Sequence, residues 1–108
     1  MVNVMNMGSF RDNGQGDTDN VNGEILKIVV LTRKELPNVK VTLRTIDGET
    51  LCDDYLDGEI TKFYPKNTIS LTQEQVHVEN YFTAGPLLIE IIGLGDGEQI
   101  FDVVIYYK

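Results

Sequence analysis

Residues 39–53, VKVTLRTIDGETLCD, decide how this chain is read. Val39, Val41 and Leu43 alternate with Lys40, Thr42 and Arg44, the two-residue period of a strand with one buried face. Asp47-Gly48 follows, a pair suited to the positive φ of a tight hairpin turn. Glu49 to Asp53 then reads as the return strand.

The same grammar continues on both sides of this hairpin. Upstream, Glu24 to Thr32 is a strand rich in Ile25, Leu26, Ile28, Val29, Val30 and Leu31. Strict alternation puts Leu26, Ile28 and Val30 on one face and Ile25, Val29 and Leu31 on the other. Pro37 ends any ladder there, having no N–H to donate. Downstream, Asp57-Gly58 is a turn and Glu59 to Tyr64 a strand, with Ile60, Lys62 and Tyr64 opposite Thr61 and Phe63. Pro65 closes it. Ile69 and Leu71 form a short apolar pair, Thr72-Gln73-Glu74 suits one helical turn, and Gln75 to Phe82 reads as a strand. Leu87 to Ile92 and Gln99 to Lys108 are apolar on both faces. The glycine-rich loop between them, Gly93 to Gly97, reads as a hairpin loop.

These signals predict an all-β fold, an antiparallel β-sandwich or jelly-roll-like barrel of about seven or eight strands. It occupies residues 23–108. Residues 1–22 mix Gly8, Gly14 and Gly16 with many Asn and Asp and hold no sustained period. They read as a flexible polar N-terminal arm, although Val2, Val4, Met5, Met7 and Phe10 give it apolar groups that order only against a surface.

A chain of 108 residues is one domain by length. Its net charge of −8, with cations scattered among acids, argues against nucleic acid and against an anionic membrane, both of which need clustered Lys and Arg. No leader pattern and no run of transmembrane length is visible. The expected location is cytoplasmic, or the virion or host cytoplasm for a viral protein. Cys52 is the one cysteine, so no internal disulfide forms, and a reduced, half-buried thiol is expected.

Few residues suggest chemistry. Asp53, Asp54, Asp57 and Glu59 cluster, but the spacing misses the twelve-residue calcium loop. Gly93 to Gly97 opens a strand, whereas a phosphate-binding loop opens a helix. His77 stands without a second His or Cys at ligand spacing. No catalytic residue, cofactor or metal site is assigned. Tyr55, Phe63, Tyr64, Tyr81, Phe82, Tyr106 and Tyr107 come near strand ends. They suit packing, or stacking platforms for a glycan.

Gly23 to Leu31, Phe63-Tyr64-Pro65, and Leu87 to Ile92 followed by Asp102 to Tyr107 together resemble small structural proteins of tailed phages, prophages and related archaeal viruses. That resemblance implies a capsid decoration or accessory virion protein, a β-sandwich that assembles on a shell, with a trimer preferred and no catalytic residues. Strands apolar on both faces point the same way, because a two-layer sandwich buries only one face of each sheet. The expected function is therefore a homo-oligomeric structural module. Its partners are further copies of itself and a capsid or other shell. Leu26, Ile28, Val30, Val104, Tyr106 and Phe10 are the expected interface residues. A glycan-directed binding sandwich is the alternative, and a small enzyme using the acidic cluster a second.

Overall fold

The computed structural model describes residues 1–70 and 76–108, with side chains for those outside 67–78. Among the described residues eleven strands run β1 (Asn3–Asn6), β2 (Gly14–Asp17), β3 (Gly23–Thr32), β4 (Lys40–Thr45), β5 (Thr50–Tyr55), β6 (Ile60–Phe63), β7 (Asn67–Ser70), β8 (Val76–Glu79), β9 (Phe82–Thr83), β10 (Leu87–Ile92) and β11 (Ile100–Tyr107). Two antiparallel sheets form the sandwich. One has the order β1-β11-β3-β6, with β9 also pairing β3, and the other the order β2-β10-β4-β5. Strands β7 and β8 pair with each other. The expected Thr72-Gln73-Glu74 turn and Leu71 lie outside the described residues, as does the side chain of His77.

The core lies between the sheets. Ile28, Val30, Val103 and Ile105 of one sheet face Val41, Leu43, Leu87, Ile89 and Ile91 of the other, all buried. The 39–53 hairpin forms as β4 and β5, with Leu43 opposite Cys52. Its loop is longer than the two residues the Asp47-Gly48 signal predicts, running from Ile46 to Glu49 between the strands. Gly48 takes φ +91° and its N–H donates to the Thr45 carbonyl at 3.0 Å.

Three expectations change. First, the segment read as a flexible arm is built into both sheets: β1 pairs with β11 and β2 with β10. Asn13 holds the crossing between them, its amide donating to the Leu94 carbonyl at 3.1 Å and its oxygen accepting from the Leu94 N–H at 2.8 Å. Phe10 bridges to Ile100 through two backbone bonds of 2.9 Å. With the short β7, β8 and β9, the arm raises the strand count above seven or eight.

Second, β10 and β11 do not form a hairpin. They belong to opposite sheets, and Gly93 to Gln99 arches over the end of the sandwich with Leu94 buried beneath it. Each strand needs its own apolar face turned inward, and placing them in facing sheets buries both.

Third, the faces of β3 are not those of strict alternation. Tyr107 pairs with Ile25 and Tyr106 with Lys27, leaving Leu26 as the extra residue of a bulge. A bulge resets the two-residue period. Ile25 therefore joins Ile28 and Val30 in the core, while Leu26 moves to the outer side with Val29 and Leu31. A second bulge on β11, between Ile100 and Asp102, keeps both Ile100 and Val103 buried and turns Phe101 outward.

Candidate functional site

The outer face of the five-stranded sheet carries apolar side chains interspersed with Asn6, Lys27, Arg33, Lys62 and Asp102. The register places Val4 beside Tyr106, and Asn6 beside Val104, on the β1–β11 pair. It places Val29 between Val104 and Lys62, and Leu31 between Asp102 and Ile60. Val29 is buried by these neighbours, while Val4 and Ile60 at the margins are 57% and 59% exposed. Water meets Val4 and Ile60 at the two margins and reaches Leu26, Leu31 and Val104 in part, and grouped exposed apolar residues of this kind mark contact surfaces.

Two cations lie flat on this face. Lys27 Nζ sits 4.5 Å from the Tyr106 ring centre, and the Arg33 guanidinium 4.1 Å from that of Phe101. Both pairs place a cation on the electron-rich face of a ring. Alternation outward from the buried Ile100 and Thr32 accounts for Phe101 and Arg33 meeting there. Asn6 donates to Asp102 Oδ1 at 3.0 Å across the β1–β11 pair.

Of the expected interface residues, Leu26, Val104 and Tyr106 stand on this outer face. Ile28 and Val30 do not: both are core residues, for the reason the bulge at Leu26 gives. Phe10 packs against the core at the crossing between sheets.

The outer face of the four-stranded sheet mixes polar side chains with Leu88 and Ile92 of β10, which are exposed. Gln15 Nε2 donates to Glu90 at 2.8 Å, and Thr42 Oγ1 donates to Asp53 Oδ1 at 2.9 Å. Lys40 Nζ stands 3.0 Å from the same oxygen. The hydrogen bonds from Lys40 and Thr42 hold the Asp53 carboxyl below the usual carboxylate range, and Asp53 in turn raises Lys40. A shallow hollow of about 170 Å³ lies there among Gln15, Gly16, Thr42, Arg44, Leu88 and Glu90.

The acidic cluster is dispersed by the fold. Asp53 serves Lys40 and Thr42, Asp54 accepts from the Tyr55 N–H at 2.7 Å, and the Asp57 N–H donates to Thr61 Oγ1 at 2.9 Å. Among the described residues no three His, Cys, Asp or Glu side chains come together as metal ligands. Cys52 is buried against Leu43, and burial pushes its thiol up to about 12. The exposed aromatics Tyr55, Tyr64 and Phe82 stand on β5, after β6 and on β9.

At one end of the sandwich, Ile46, Phe82, Ala84 and Pro86 surround a hollow of about 270 Å³, with Asp47 and Glu49 on its rim. Phe82 is 71% exposed there. Sequence reasoning missed this group because its members come from two segments, Ile46 to Glu49 and Phe82 to Pro86, that lie far apart along the chain. Among the described residues no helix is long and apolar enough to cross a membrane.

No protein-family model matches the chain. No curated protein matches it either. Among solved structures it is similar to a chain of the infectious bursal disease virus Gt strain, with 12% identity and a TM-score of 0.29. That match covers 97% of this chain and 31% of the viral one, so the chain spans less than a third of that protein's length.

Proposed function

We propose that this protein is a structural assembly module that associates with further copies of itself through the outer face of its five-stranded sheet. The observation that carries this reading is the apolar group on that face, exposed at Val4 and Ile60 and half-buried at Leu26, Leu31 and Val104. Covering such side chains is worth roughly 25 cal/mol per Å² of apolar area removed from water. A chain with a marginal core gains from that contact. The virion setting, as a decoration or accessory protein of a shell, rests on the resemblance carried by Gly23 to Leu31 and by the strands ending in Tyr107.

Light scattering across protein concentration tests the assembly. A discrete oligomer at tens of micromolar is expected, and Ile60→Ser with Val4→Ser should shift it toward monomer without lowering the melting temperature of the subunit. A wild-type chain that stays monomeric at that concentration overturns the reading.

A further inference from the structure

The apolar face carries a charge opposite to that of the molecule around it. Lys27, Arg33 and Lys62 stand on it, against Asp102, whose carboxylate is engaged by Asn6. Glu24, at the start of β3, is tied to the Asn80 amide. The chain as a whole is at −8. A cation-bearing apolar stripe on an acidic protein cannot pair well with itself, because a two-fold contact brings like charges together.

The molecule also carries the complementary surface. The hollow that Ile46, Phe82 and Pro86 share with Thr45 and Thr83 has a mixed lining, and its two charged residues, Asp47 and Glu49, are both acidic. Ile46 is 59% exposed. The two surfaces share no residue, so one copy can offer both at once.

We infer that the cation-bearing outer face of one copy docks on the acid-rimmed Ile46–Phe82 hollow of the next. This rests on the assembly reading above and gives it a direction. The contact is head-to-tail, so copies close into a ring where the rotation allows and otherwise run into an open chain. Lys62 and Arg33 meet Asp47 and Glu49, while the stripe fills the hollow.

The test uses exposed side chains whose reversal spares the core. Lys62→Glu and Glu49→Lys are made singly and together in the full chain, and association is followed by sedimentation. Each single reversal should weaken association at least tenfold. The double variant, with the charges exchanged, should recover most of it, and an equimolar mixture of the two single variants should associate better than either alone. Circular dichroism confirms that each variant is folded, and the milder Lys62→Gln and Glu49→Gln serve if a reversal unfolds the chain. Wild-type oligomers that neither reversal weakens overturn the head-to-tail contact and leave the assembly reading standing. So does loss in both single variants without recovery in the double. A monomeric wild type overturns both.

Discussion

Gly93 passes so close to Asn38 that a Cβ on the glycine would lie 2.2 Å from the Asn38 carbonyl oxygen. Its φ of +98° is also one that other residues rarely adopt. The arch from β10 to β11 therefore turns at a point where only glycine fits both the backbone angle and the space. Gly93→Ala should cost at least about 1–3 kcal/mol for the strained angle, with the clash in addition. Gly97, at φ +76° with open space around it, is the control: Gly97→Asn should be nearly neutral, since asparagine tolerates that region. Thermal melts of the two variants check the contrast.

Cys52 makes stability depend on alkaline pH. The folded thiol is pushed up to about 12, from an ordinary value of 9.0, chiefly by burial. Below pH 9 both states hold the proton and the contribution is complete. Above it the unfolded chain ionises first, so stability falls as pH rises toward 12. Denaturation midpoints from pH 8 to 11 should decline more steeply for the wild type than for Cys52→Ala, which shares every other titrating group. The folded thiol should also react slowly with a disulfide reagent at pH 8.

Asp53 gives an effect of the opposite sign. Its carboxyl is held low by Lys40 and Thr42. That contribution is present above the ordinary 3.8 and is lost as pH falls through the depressed folded value. Thr42→Val and Lys40→Met should each move the Asp53 titration upward, followed by NMR, with small changes in stability at neutral pH.

The hairpin of residues 39–53 was legible because Val41 and Leu43 alternate with the polar Lys40, Thr42 and Arg44 and the run ends at Asp47-Gly48. The faces of β3 were not, because nothing in a run of aliphatic residues marks Leu26 as the extra residue. The bulge exists only relative to Tyr106 and Tyr107 on the partner strand. Strand β2, Gly14-Gln15-Gly16-Asp17, carries no apolar side chain at all. It is a strand because β10 offers it a ladder, with Gln15 opposite Glu90. The two sides of the acid-rimmed hollow are likewise joined only by folding. The outer apolar face was legible in Val104 and Tyr106, whose alternation holds to the end of β11.

Core and face should separate in mutagenesis. Ile105→Ala empties a fully buried site between the sheets and should cost about 2–5 kcal/mol. Ile60→Ser, at an exposed margin, should change subunit stability by no more than about 0.5 kcal/mol. Urea unfolding of the isolated subunit measures both.

Removing residues 1–22 should destabilise the body as well as affect association. The deletion strips the outer strand from each sheet and takes away Val21, which is fully buried and donates its N–H to the Gly85 carbonyl at 2.8 Å. It also bares the edges of β10 and β11, which are apolar strands suited to pairing with other chains. A lower melting temperature with aggregation is expected. An unchanged melt would show that the two edge strands contribute little.

The pairing of β1 with β11, and of β2 with β10, sets an order of events during synthesis. Asn3 finds its partner at Tyr107, and Gln15 finds its own at Glu90. Strands β1 and β2 are made well before their partners, so β1 waits for β11, and β2 for β10, before it can join a ladder. Until then the chain holds β3 and the β4–β5 hairpin with unpaired edges, and closure of such distant contacts is slow. A nascent chain halted before Ile100 lacks the central strand between β1 and β3, and would remain open to proteases and to other chains. The polar, glycine-rich opening suits that interval, since it stays soluble while it waits.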